Sequence, residues 1–115
     1  MKKLLLLLVC CLTVLSLAGC DATVGTWKFA EKTSILGIVT KAGENNITED
    51  YLVIVFEKDG TGTFRQEDLE VTFAFNWVKE EDLIKVSGTL IDFEARIEKG
   101  YLLFDYAGAS YKMKK

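Results

Sequence analysis

The chain of 115 residues has no histidine and no proline, and its three cysteines all fall within the first twenty positions. Each shortage narrows the chemistry. Without histidine, the commonest general base and the commonest metal ligand are gone. Ser34, Ser87 and Ser110 then have no imidazole to activate them as nucleophiles. Without proline there is no cis-proline turn and no proline-rich linker. Cys10 and Cys11 lie inside an apolar leader and Cys20 ends it, so the rest of the chain has neither thiol nor disulfide. It must hold together by packing alone. No basic stripe with interleaved aromatics occurs, which argues against nucleic acid as a partner. Lys112, Lys114 and Lys115 are the only local positive excess and read as a solvated end. The acidic clusters Glu49-Asp50, Glu67-Asp68 and Glu80-Glu81-Asp82 fall at turns, and none has the spacing of a dedicated calcium loop. No catalytic residue, metal ligand or cofactor is expected, and the chain reads as non-enzymatic.

What is present begins with the leader. Lys2 and Lys3 precede an apolar run over residues 4–17 that is short for a membrane span. Leu17-Ala18-Gly19-Cys20 then places small residues before a cysteine, the pattern of a bacterial lipobox. Residues 1–19 therefore read as a removed signal peptide and Cys20 as the site of lipid attachment. The expected location is the cell membrane, lipid-anchored and facing outside the cytoplasm. Loss of Lys2 and Lys3 lowers fourteen basic side chains to twelve against seventeen acidic ones, taking the net charge from −3 to −5. Residues 20–23 form a very short tether, since three or four extended residues span roughly 10–14 Å. Residues 24–115 make one small domain, which buries only about 60–65% of its unfolded surface.

That domain reads as short strands between turns. Residues 24–30, 51–57 and 61–65 are strand-like, and Asp59-Gly60 joins the last two. A type I turn with Gly60 in a left-handed bulge pairs Ile54 with Phe64. It also sets Gly62 opposite Phe56, where a large ring needs a small neighbour. Val71, Phe73, Phe75 and Trp77 alternate with Thr72, Ala74 and Asn76. Ile84 and Val86 follow, then Ile91, Phe93, Ala95 and Ile97, then residues 101–106 and 110–113. The spacing predicts a single all-β, antiparallel up-and-down meander of about seven or eight strands, a closed or partly open barrel after an N-terminal signal helix. Trp27, Phe73, Phe75, Trp77, Phe93 and Ile97 are its expected core.

Residues 31–50 interrupt this pattern with an apolar patch, Ile35-Leu36-Gly37-Ile38-Val39, and then a polar stretch. A structureless loop of that length is uncommon. Two readings follow: an extra strand or short helix packed over one barrel end, or a flap covering a pocket mouth.

Gly25-Thr26-Trp27 on the first strand, Asp59-Gly60-Thr61-Gly62-Thr63 after a hydrophobic strand, and Phe75-Asn76-Trp77 ending the next one together resemble the small lipocalin-like domains of bacterial lipoproteins. The resemblance implies a barrel that carries a small apolar ligand. It implies that Trp27 closes one barrel end beneath a basic side chain of the last strand, with Lys112 or Lys114 in place of an arginine. The ligand-binding set is then Ile35, Leu36 and Ile38 from the flap, with Trp77 and Phe93 from the barrel. The alternative is an envelope protein–protein interaction or inhibitor module that uses an outer face or loop of a filled barrel.

Overall fold

A strand whose apolar side chains recur at every second residue buries one face, and a meander of such strands can close around a shared interior. The computed structural model describes residues 22–115. The signal peptide, the lipobox and Cys20 lie outside the described residues. The strands are β1 (Gly25–Ser34), β2 (Val39–Lys41), β3 (Leu52–Phe56), β4 (Thr61–Gln66), β5 (Val71–Glu80), β6 (Leu83–Ser87), β7 (Asp92–Glu98), β8 (Tyr101–Tyr106) and β9 (Ala109–Lys114). Single-turn 3-10 helices occupy Glu49–Tyr51 and Glu67–Leu69. From β3 to β9 each strand pairs antiparallel with the next. β1 pairs with β3 on one edge and β9 on the other, closing an eight-stranded barrel, and β2 adds a ninth strand beside β1. This is the expected all-β meander, fully closed.

The Asp59-Gly60 turn has the bulged form. Ile54 faces Phe64 and Phe56 faces Gly62, with Gly60 at φ +91°. The reason for Gly62 differs from the expected one. Gly62 also faces Phe75 across β5, and a Cβ there would collide with the Phe75 ring and the Val55 carbonyl oxygen. The ring that needs the space belongs to Phe75 rather than Phe56.

β1 carries a bulge. Lys112 faces Glu31 and Met113 faces Phe29, so Ala30 is an extra residue in the ladder. Such a bulge shifts which side chains face inward. Trp27 and Phe29 point into the barrel before it, and Lys32 does so after it, opposite the inward Tyr111.

Residues 31–50 are not a long loop. Residues 31–34 complete β1, residues 39–41 form β2, and Thr48 caps the 3-10 turn by accepting a hydrogen bond from the Asp50 N–H at 3.2 Å. The extra-strand reading holds. The flap expectation is corrected: Ile35, Leu36 and Ile38 are 86%, 82% and 62% exposed at the hairpin tip. The Ser34 N–H donates to the Ile38 carbonyl at 2.9 Å, and this tight closure turns the chain back at the rim.

Rings fill the interior. Phe64 sits 6.0 Å from Phe93, Phe93 stacks on Phe104 at 4.5 Å, and Phe104 stacks on Tyr111 at 5.2 Å. Towards the other end, Phe56 meets Phe75 and Trp77 edge-on, each at 5.4 Å. Trp27, Phe75, Trp77 and Phe93 are buried as expected, while Phe73 and Ile97 are half-buried at the two ends of the core. Phe29, Leu52, Ile54, Phe56, Tyr111 and Met113 join them.

Candidate functional site at the open end of the barrel

The two ends of the barrel are built differently. At one end lie residue 24, residue 115 and the turns at 57–60, 81–82 and 99–100. Trp27 is 2% exposed there and its Nε1 donates to the Thr23 carbonyl at 2.9 Å. Lys115 Nζ lies 5.2 Å from the centre of its ring, a cation–π contact. This corrects the expected lysine. Alternation turns Lys112 and Lys114 to the outer face of β9, where Lys112 covers the Tyr101 ring at 4.3 Å and Lys114 pairs with Glu49 at 3.2 Å. Trp77 pins the same end, since its Nε1 donates to the carbonyls of Glu57 at 3.0 Å and Thr61 at 3.1 Å.

The expected ligand-binding residues are not brought together. Ile35, Leu36 and Ile38 stand in solvent at the hairpin tip, whereas Trp77 and Phe93 are packed in the core. Among the described residues, three hollows on the outside of the barrel stand out. The first, about 340 Å³, spans β7, β8, β9 and β1 around Leu103, between Glu31, Arg96, Asp105 and Lys112. A second, about 310 Å³, crosses β5–β7 over Trp77 and Phe93. Ile35 borders the third, about 260 Å³, beside Asp105 and Gly108.

The opposite end has no such tryptophan plug, is open in that sense, and gathers a different set. The β1–β2 hairpin, both 3-10 helices and the turns at 88–91 and 107–108 surround it. Tyr51 enters between β1 and β3, where their pairing has ceased, and its ring meets Phe29 at 5.1 Å. Tyr106 and Tyr111 flank the 107–108 turn on the inner face, and Tyr106 lies 5.1 Å from Phe64. Phe73, half-buried, stands on the other side of Phe64 at 6.3 Å. Lys32 Nζ lies 5.6 Å from the centre of the Tyr51 ring and 5.9 Å from that of Tyr111, and it donates to the Tyr51 hydroxyl at 3.4 Å.

Burial pushes the Tyr111 phenol up to about 12, and the neighbouring Tyr51, Tyr106 and Asp68 add to the effect. Tyr111 is therefore a neutral hydroxyl throughout the physiological range. The mouth offers aromatic walls, three phenolic hydroxyls that donate or accept, and one ammonium group. Among the described residues no group of three His, Cys, Asp or Glu side chains is gathered to hold a metal ion.

Sequence patterning misses this mouth. Lys32 faces inward only because of the bulge at Ala30, and Tyr51 only because a 3-10 turn delivers it. One signal was available: Tyr106 and Tyr111 bracket a two-residue turn at positions that share the inner face.

No protein-family model matches the sequence, and no curated protein matches it. Among solved structures, the chain is similar to a lipocalin-like protein from Bacteroides uniformis ATCC 8492, with a TM-score of 0.58 and 15% sequence identity. The match covers 83% of this chain and 99% of that one. At that identity the likeness is one of fold. The closed eight-stranded meander, with a tryptophan under a lysine at one end, is a lipocalin-like fold.

Proposed function

We propose that this protein is a lipid-anchored, non-enzymatic binding protein that holds a small apolar ligand at the open end of its barrel. The observation that carries the reading is the gathering of aromatic rings at this end: Tyr106 and Phe73 on Phe64, Tyr51 on Phe29, and Tyr111 near Tyr51 and Tyr106. The half-buried rings of Tyr51, Phe73 and Tyr106 supply apolar contact, and a few hydroxyls supply orientation, the usual composition of a small-molecule site. The anchor rests on the lipobox and Cys20. Thr23 is fully buried at the closed end, so only Asp21 and Ala22 separate Cys20 from the packed domain. An anchor there holds the Trp27 end against the bilayer and turns the mouth away from it.

Native mass spectrometry of protein purified gently from its host tests the reading. A retained small molecule, lost from a Phe73→Ala, Tyr106→Ala variant, is the expected result. Unliganded wild-type protein that also gives no fluorescence enhancement with N-phenyl-1-naphthylamine overturns it.

One observation favours a second reading, a module that binds another envelope protein. Ile35, Leu36, Ile38 and Val39 at the hairpin tip, Leu69 and Val71 near the second 3-10 helix, and Leu90 in the β6–β7 turn are all exposed at the open end. Apolar patches of this kind mark interaction surfaces. Cross-linking in the host envelope that captures one partner, and loses it in Ile35→Ser, Ile38→Ser without change in small-molecule retention, favours the module over the carrier.

A further inference from the structure

Lys32 has aromatic neighbours and no acidic one. Several cations of the outer wall are matched instead: Lys28 pairs with Glu49 at 3.7 Å and Asp50 at 3.4 Å, and Lys114 pairs with Glu49. Arg96 on β7 pairs with Glu98. Among the described residues no carboxylate lies within 4.0 Å of Lys32 Nζ, whose hydrogen-bond partner is the Tyr51 hydroxyl. The ammonium is aimed into the mouth between two tyrosine rings. A cation held over rings keeps donors free for an anion, because a ring face occupies none of them in a strong hydrogen bond.

From this arrangement we infer that the ligand of the mouth is an amphiphilic monocarboxylic acid, bound with its carboxylate against Lys32 and the tyrosine hydroxyls. The inference rests on the binding function proposed above and names the class of ligand. One ammonium balances one negative charge.

The interior also dictates which way the acid lies. Beneath the mouth, Phe64, Phe93, Phe104 and Tyr111 are packed ring against ring. The apolar tail is therefore directed outward, across the rim, where Ile35 and Ile38 are exposed three and six residues beyond Lys32 on the same hairpin. Head inward and tail over the rim accounts for both the inward cation at this end and the apolar rim around it.

The test uses the full-length chain in lipid nanodiscs, with empty nanodiscs as the blank. Its probes are 11-dansylaminoundecanoic acid and the methyl ester of the same acid. The acid is expected to bind at least tenfold more tightly than the ester. Lys32→Met should reduce that ratio to about one, and Lys32→Arg should preserve it. Ile35→Ser, Ile38→Ser should weaken acid and ester alike by several fold and leave the ratio unchanged. Equal binding of acid and ester to the wild type, or a ratio that survives in Lys32→Met, overturns the assignment of an acid while leaving a neutral-ligand carrier standing. Unaltered binding in the Ile35→Ser, Ile38→Ser variant overturns the outward tail. Failure of both probes to bind the wild type overturns the carrier reading itself. Should Lys32→Met not fold, the wild-type ratio and Lys32→Arg still decide the outcome.

Discussion

At the scale of single residues, close packing sets the sharpest expectations. The Phe75 ring occupies the space a side chain at position 62 would fill. Gly62→Ala should therefore destabilise by about 1–3 kcal/mol through overpacking. Phe75→Ala should cost about 3–5 kcal/mol, from lost transfer energy plus the cavity left beside Phe56. The two changes share one volume, so the double variant should lose clearly less than the sum, as read from denaturant midpoints. Strict additivity would show that the ring and the glycine are not coupled. Tyr111 gives a pH expectation of definite sign. Its folded value of about 12 lies above the ordinary 10, so the unfolded chain releases this proton first as pH rises. Stability is intact below pH 10 and falls between pH 10 and 12, by roughly 2–3 kcal/mol from this group. Tyr111→Phe should lack that part of the alkaline loss. Parallel alkaline curves for the two proteins would remove Tyr111 from the account.

Among the elements, the β3–β4 turn and the β1–β2 hairpin behave oppositely. Asp59 Oδ1 accepts from the Thr61 hydroxyl at 2.6 Å and the Thr61 N–H at 3.0 Å, and these bonds, the side-chain one first, hold its carboxyl below 3.8. Asp59→Ala should lower the unfolding midpoint at neutral pH. The difference should shrink as pH falls through the depressed value, because the protonated carboxyl loses the interaction in the wild type. A difference independent of pH would assign the effect to turn propensity alone. The hairpin tip, in contrast, is solvent-exposed, so Ile35→Ser, Ile38→Ser should move stability by less than about 0.5 kcal/mol. A large loss in urea melts would mean that the tip packs on the barrel.

For the whole molecule, the placement of the two ends carries the functional argument. The closed end holds Trp27, Lys115 and the buried Thr23, and the open end holds the tyrosines and Lys32. Cys20→Ser should block signal cleavage and lipid labelling, and a variant still processed at the same place would remove the anchor from the proposal. With the anchor in place, protease digestion of intact spheroplasts should cut at the exposed hairpin tip before any site near residues 57–60 or 99–100. Earlier cleavage at those turns would show that the mouth faces the bilayer.

Much of this architecture is legible in the amino-acid sequence alone. Alternation in residues 71–77 and 91–97 dictates strands, because a side-chain period of two leaves one face to bury. Asp59-Gly60 sets the Ile54–Phe64 register, because a left-handed glycine admits only a few turn geometries. The lysine above Trp27 and the ring above Gly62 depend on which strand ends meet, and that is settled by closure. The proposed binding mouth depends on closure still more. Ala30 shows nothing in the sequence to mark it as a bulge, yet that one unpaired residue turns Lys32 inward to face Tyr111, seventy-nine positions away. Local pattern determines which residues form strands, since it acts through the backbone of neighbouring residues. Which side chains share the mouth is decided by the register between β1 and β9, a pairing that exists only once the barrel has closed.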